Sequence, residues 1–206
     1  MKRLLRHLIV NSPKRIIDIG ANVGDFSKSL HSVFPDCQFC LVEANENCEP
    51  SLKALPFSYD ISALGAEESE ADFYIENANP LATGASLKRE NTAYYNEGLY
   101  HTKKVKIHTL DSKEYFTGEK IDLLKLDVQG SELDILKGGR KTLQRTDMVL
   151  MECSNVPYNL GAQLIDEYYD CMEQHGFRVL EIVDFIKMQI GIGTVVGQMD
   201  LLFKKI

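Results

Sequence analysis

Residues 16–26 read Ile-Ile-Asp-Ile-Gly-Ala-Asn-Val-Gly-Asp-Phe, an apolar run that enters a glycine turn and then a helical spacing. Gly20 and Gly24 let the backbone bend sharply and let a ligand lie against it with no Cβ in the way. The turn also aims helix-start amides at an anion. The pattern is neither the G-x-G-x-x-G of a dinucleotide site nor the lysine-bearing loop of a phosphate site. Asp18 and Asp25 flank the turn, and no cation lies within it. A pyrophosphate would be repelled there, whereas a zwitterionic amino acid carrying a sulfonium would meet both amide donors and negative charge. In Leu41-Val42-Glu43-Ala44-Asn45, Glu43 closes the next apolar run 25 positions after Asp18 (43 − 18). A carboxylate at that point of a doubly wound sheet reaches the ribose hydroxyls of a bound nucleoside; taken alone, it is more often a cap or a solvated residue. Asp127 follows the run 121–126 and faces the crevice where strand order reverses, or else caps a helix that starts near Ser131.

Residues so far apart act together only if strands end side by side. Short apolar or alternating runs at 15–19, 38–42, 57–61, 121–126 and 148–151 predict strands, and helical spacing at 25–33, 47–54, 132–142 and 161–175 separates most of them. Alternation of this kind predicts an α/β fold with a mostly parallel sheet covered by helices on both faces. Two further runs, 177–186 and 194–203, carry Gly191, Gly193 and Gly197 between or within them and read as a closing antiparallel hairpin. Residues 1–12 read as a short N-terminal helix. The connection 62–120 is far longer than such units need. It predicts a small strand pair, 71–75 with 85–87, then a polar aromatic loop with the acceptor pocket beside it, then a strand over 105–110.

Taken in order, Asp18-Ile-Gly-Ala-Asn-Val-Gly24, Val42-Glu43-Ala44, Thr109-Leu110-Asp111, Leu124-Lys-Leu-Asp-Val-Gln-Gly-Ser-Glu132 and Leu136-Lys-Gly138 resemble the FkbM-type methyltransferases, a Rossmann-like class I branch that uses S-adenosylmethionine. The resemblance runs from about residue 15 to 152. It implies a seven-stranded sheet of order 3-2-1-4-5-7-6 with the last strand antiparallel and the cofactor over the first four strands. It assigns the methionine end to Gly20, Ala21, Asn22 and Gly24 beside Asp18, and the ribose to Glu43. Adenine falls to Ala44, Asn45, Ile61, Ser62 and Ala63, and the methyl-transfer site to Asp127 and Val128. Ala44 stands where many such sequences have proline, which alters the turn and leaves the carboxylate in place. The implied acceptor is a hydroxyl on a small molecule, a sugar or a natural product. A hydroxyl must lose its proton, so a base is needed. Asp127 ranks first, ahead of Glu132, Glu152 and His101. His101 clusters with Tyr94, Tyr95 and Tyr100, which either cover an acceptor or pack locally. His108 reads as structural, and Lys125 is a charge in a buried strand, snorkelling or paired with Glu152. A divalent ion between Asp127, Glu152 and Asn155 is the less favoured arrangement, and no metal is expected. The rival readings are a cofactor-binding module without catalysis and, less favoured because its glycines are missing, a nicotinamide-dependent oxidoreductase.

At 206 residues the chain fits one domain that buries its own core. The formal net charge of −7 repels phosphate backbones, so no nucleic-acid partner is expected. Lys103-Lys104 and Lys204-Lys205 read as solvated faces. Arg6 and His7 interrupt the N-terminal apolar stretch before signal-peptide length, and charges recur within every other apolar run, so the expectation is a soluble, cytoplasmic protein with no membrane contact. The five cysteines fit no disulfide or metal spacing. Cys37 and Cys40, placed in one strand, point to opposite faces and read as buried thiols. Oligomeric state is left open.

Overall fold

The computed structural model describes residues 1–91, 97–190 and 192–206; Tyr94, Tyr95 and Gly191 lie outside the described residues. The chain opens with α1 (Lys2–Asn11), β1 (Arg15–Ile19), α2 (Asp25–His31), β2 (Gln38–Glu43), α3 (Glu49–Lys53) and β3 (Ser58–Ile61). Three strands follow, β4 (Ala63–Gly65), β5 (Ser69–Glu76) and β6 (Tyr100–Thr109). The second half contains β7 (Ile121–Leu126), α4 (Glu132–Lys137), α5 (Arg140–Gln144), β8 (Thr146–Ser154), α6 (Ile165–Gln174), β9 (Phe177–Ile190) and β10 (Gly193–Lys205).

Seven strands form one sheet in the order β3-β2-β1-β7-β8-β10-β9. Setting aside β4 to β6, which form a separate three-stranded sheet, this is the order 3-2-1-4-5-7-6 that the resemblance implies. Only β10 runs antiparallel to its neighbours, pairing with β8 and β9. The parallel strands are buried on both sides because their side chains alternate between two apolar layers. Ile17, Ile19, Val42, Leu124, Leu126, Val149 and Met151 pack with Leu133, Leu136, Tyr168 and Met172 on one face. Ile16, Phe39, Leu41, Leu123, Met148 and Leu150 pack with Leu4, Leu8, Leu30 and Leu52 on the other. Register sets the site: Ile19 is level with Val42 on one side and Leu126 on the other. Gly20, Glu43 and Asp127 therefore leave the sheet next to one another.

Several boundaries differ from the sequence pattern for identifiable reasons. The run 132–142 is two helices, broken at the glycine pair Gly138-Gly139; a side chain at Gly138 would collide with the carbonyl of Gly65 in β4. The run 161–175 becomes helical only at Ile165, where the Glu167 carboxylate accepts from the Leu164 N–H at 3.0 Å and caps the start. Residues 71–75 lie within β5, which pairs with β6; of residues 85–87 only Ser86 joins in, through a single bridge to Tyr74. β6 begins at Tyr100, so Tyr100 and His101 are strand residues. Its first half is too uniformly polar to betray a strand by alternation. Cys37 and Cys40 are free and buried, and burial pushes their thiols up, to about 12 and about 11. Among the described residues no helix is long and apolar enough to cross a membrane.

Candidate functional site

Where β1, β2 and β7 end, a cleft of about 660 Å3 opens. Gly20, Asn22, Glu43, Ala44, Ser62, Ala63, Asp127 and Val128 line it together with Ile19, Val42, Leu64, Phe73 and Ile135. Its outer wall is a strap after β5, from which Ala82, Thr83, Ala85 and Leu87 face in. Apolar side chains share the lining with Asn22, Ser62, Thr83, Ser131 and two carboxylates, Asp127 and the buried Glu43.

Glu43 accepts, on its two oxygens, from the backbone N–H of Asn22 at 2.8 Å and of Asn45 at 2.7 Å. Burial raises its pKa, opposed by the amides of Asn45 and Asn22 and by the charge of Lys125. A carboxylate oxygen has more than one lone pair, so both can still accept hydroxyls from the cleft. The Gly20–Gly24 turn is held shut by its own bonds: Gly20 and Ala21 donate to Val42 O, Asn22 to Glu43, and Gly24 to Ala21 O. These four amides, read from sequence as donors to an anion, serve the protein itself. Gly20 and Gly24 have φ near +75° and +82°, and a Cβ there would strike the Asp127 carbonyl and the Leu55 side chain respectively. The glycines thus admit the protein's own neighbours rather than a ligand.

Asp127 stands at the junction with a second cleft of about 840 Å3, which it lines with Gly20, Asn22, Thr83, Lys125, Glu152 and Asp200 among others. Lys125 Nζ lies 3.2 Å from both Asp127 Oδ2 and Asp18 Oδ1. Burial works against the ammonium, but Asp18 and Asp127 outweigh it and raise its pKa, so it stays charged. Gln129 Nε2 donates to Asp127 Oδ1 at 3.2 Å and to Glu152 Oε2 at 2.9 Å, and Gln198 Nε2 adds a bond to the same Glu152 oxygen at 3.0 Å. Burial, with Asp127, Glu132 and Asp200 nearby, pushes Glu152 up to about 9. Asp200 rises to about 6, from burial and then Asp127. Burial and the neighbouring carboxylates thus favour the protonated form of both groups in the second cleft.

Residues 18–179 match the Methyltransferase FkbM domain. The chain belongs to the FkbM methyltransferase family. A curated relative, 2-O-methyltransferase NoeI of Sinorhizobium fredii (strain NBRC 101917 / NGR234), is 26% identical over 156 residues, 68% of this chain and 63% of the relative's length. Among solved structures, precorrin-6y C5,15-methyltransferase from Geobacter metallireducens GS-15 superposes with a TM-score of 0.52 at 13% identity, covering 99% of this chain and 86% of that one; the likeness is of fold. Methyltransferase FkbM from Methylobacillus flagellatus KT gives a TM-score of 0.47 at 13% identity over 69% of this chain and 33% of that one.

In this FkbM chain the expected site residues divide. Gly20, Asn22, Glu43, Ala44, Ser62, Ala63, Asp127 and Val128 meet in the first cleft, and Ala21 borders the second. Ile61 lines a neighbouring hollow against β6 together with Ala44, Ser62 and Ala63. Asp18 is fully buried behind the turn, accepting from Ser27 Oγ at 2.7 Å and facing Lys125, and neither it nor Gly24 lines a cleft. Asn45 is likewise buried and lines none. Glu132 sits beneath the loop after β7, where it accepts from Val128 N, Gly130 N and Tyr168 OH at 3.0 to 3.1 Å. His101 is exposed on β6 with Nδ1 2.7 Å from Asn77 Oδ1, away from the lining of both clefts. Asn155 donates its side-chain amide to Val196 O, and the described residues contain no grouping of three or more acidic, histidine or cysteine side chains arranged to hold a metal ion. Lys125 pairs with Asp18 and Asp127, not with Glu152. Sequence reasoning missed the strap, whose residues show no motif, and Gln129 and Gln198, whose amides gather the acidic groups only once the loop after β7 and strand β10 are in place.

Proposed function

We propose that this chain is an S-adenosylmethionine-dependent O-methyltransferase acting on a hydroxyl of a small molecule, sugar or natural product. The observation that carries the reading is Glu43: a buried carboxylate, fixed by two amides, that lines the cleft at the end of β2. A nucleoside fits this chemistry, with the diol on Glu43 and the base between Ala44, Ser62, Ala63, Leu64 and Phe73. A dinucleotide fits less well, because no cation in the turn answers a diphosphate and the turn amides are engaged. The cofactor, when bound, supplies a methyl group activated by a sulfonium. Asp127 gives that positive centre a negative neighbour, offset in part by the Lys125 ammonium that pairs with it. The name of the curated relative, a 2-O-methyltransferase, supports an oxygen acceptor. Asp127 borders both clefts and is the carboxylate we assign to take the acceptor's proton, with Gln129 and Lys125 fixing its orientation. The acceptor enters from the second cleft in this reading.

Calorimetry tests it. The wild type should bind S-adenosylhomocysteine, and Glu43→Ala should weaken that binding about 100-fold, the scale of losing charge-assisted hydrogen bonds. Binding of NAD in place of S-adenosylhomocysteine would overturn the reading.

A further inference from the structure

We infer that Asn22 and Asn45 are positioning residues that couple capture of the ribose to closure of the strap over the first cleft. The inference rests on the nucleoside reading above and deepens it. Each asparagine makes the same pair of bonds. Its backbone N–H goes to a Glu43 oxygen, and its side-chain amide goes to a strap carbonyl: Asn22 Nδ2 to Leu81 O at 3.1 Å, Asn45 Nδ2 to Pro80 O at 2.6 Å. Asn45 is 1% exposed and borders no cleft, so it does not touch a ligand there and acts only through Glu43 and the strap. Asn22 holds φ near +48°, a left-handed conformation uncommon for a residue with a side chain. That conformation lies in the turn whose amide grips Glu43.

The strap is fastened differently at its far end. Ser86 Oγ donates to Gln129 O at 2.9 Å, Ser86 exchanges backbone bonds with Tyr74, and Asn159 Nδ2 donates to Lys88 O at 3.0 Å. Between the two anchorages Ala82, Thr83 and Ala85 wall the cleft, so lifting of the Pro80–Leu81 end would widen it for a nucleoside. Hydroxyls arriving on Glu43 share its oxygens with the amides of Asn22 and Asn45. Ordering either asparagine by one partner lowers the cost of ordering it for the other, so ligand and closed strap stabilise each other reciprocally.

The test is hydrogen exchange across residues 79–87, with and without S-adenosylhomocysteine, paired with surface plasmon resonance for its dissociation rate. Asn45→Asp keeps the backbone N–H and the side-chain oxygen that accepts from Asn47 N, replaces the donor to Pro80 by an acceptor and adds a charge near Glu43, so Asn22→Gly serves as the charge-neutral partner test. Asn22→Gly suits the left-handed backbone and removes the donor to Leu81. We expect S-adenosylhomocysteine to slow exchange of 79–87 in the wild type. Either variant should speed that exchange in the ligand-free protein and raise the dissociation rate about fivefold, the usual worth of one hydrogen bond, while strand β2 keeps its protection. If the ligand binds the wild type without slowing exchange at 79–87, or if both variants match the wild type in exchange and dissociation, the coupling is wrong and the nucleoside reading survives. If the wild type does not bind S-adenosylhomocysteine at all, both fall.

Discussion

The turn after β1 and the loop after β7 each rest on a buried glutamate that collects two backbone amides, yet only one of the two carboxylates borders the cleft. Glu43 accepts from Asn22 N and Asn45 N and lines the first cleft. Glu132 accepts from Val128 N and Gly130 N, takes a third bond from Tyr168 OH, and is 1% exposed. Burial raises the pKa of both, offset by the amides they accept from. The same device, a carboxylate stapling a strand-end turn, thus borders the cleft in one place and is a hidden support in the other. What separates them is the third partner. Tyr168, from α6, adds a third bond to Glu132, whereas Glu43 faces the cleft that the strap walls. Glu132 holds the loop that carries Asp127 and Val128, so its influence on the site runs through Gly130 and Gln129, both with positive φ near +102° and +59°.

Removing the hidden staple is the strongest way to break this comparison. Glu132→Ala strands two amides and the Tyr168 hydroxyl in a dry interior, and should destabilise the fold by about 3–5 kcal/mol in denaturant unfolding. Glu43→Ala leaves its amides beside an open cleft that water can enter, and should lose far less stability while losing ligand affinity. If Glu132→Ala unfolds no more readily than Glu43→Ala, the distinction between hidden support and cleft carboxylate fails.

Glu152 is a third case, a half-buried carboxyl bonded by side-chain amides. Its partners are the side-chain amides of Gln129 and Gln198, and the charges facing it are Asp127, Glu132 and Asp200 against Lys125 alone. Its folded-state pKa of about 9 lies above the ordinary carboxyl value, so the folded protein holds a proton that the unfolded chain releases. The stability it contributes is fully present below about pH 4.5 and is lost as pH rises through about 9. Glu152→Gln mimics the protonated form. The wild type should lose stability between pH 5 and pH 9 that Glu152→Gln keeps, read from denaturant unfolding at each pH. Equal pH dependence in the two proteins would remove the proton from Glu152.

Most of the sheet was legible because each strand announces itself by an apolar run, and the Gly20 turn, Glu43 and Asp127 follow from where those runs stop. Helix ends were less legible: the apolar spacing over 132–142 runs straight through the Gly138-Gly139 pair, the local signal at which the helix in fact breaks. The first half of β6 carries Lys103 and Lys104 on exposed positions, so it lacks the alternation that betrays a half-buried strand. In the site, residue type was readable and facing was not. Asp18, Asn45 and Glu132 have the right chemistry and spacing, but burial turns them to the protein's own amides, hydroxyls and ammonium groups. Lys125, with no assignable role from sequence, is the cation that ties Asp18 to Asp127.

The smallest expected effect isolates the third partner itself. Tyr168 is fully buried, and its pKa is pushed up by burial and then by the charge of Glu132, whose Oε2 it faces at 3.0 Å. Tyr168→Phe keeps the ring in the core and removes one donor from a carboxylate that retains two backbone amides. The expected loss is about 1 kcal/mol in denaturant unfolding, with S-adenosylhomocysteine affinity unchanged because Glu132 still holds Val128 and Gly130. A loss near that of Glu132→Ala would mean that the hydroxyl, rather than the pair of amides, is what keeps Glu132 in place. A drop in ligand affinity with stability intact would mean that the loop after β7 reports on α6 directly, and that the hidden staple belongs to the ligand site after all.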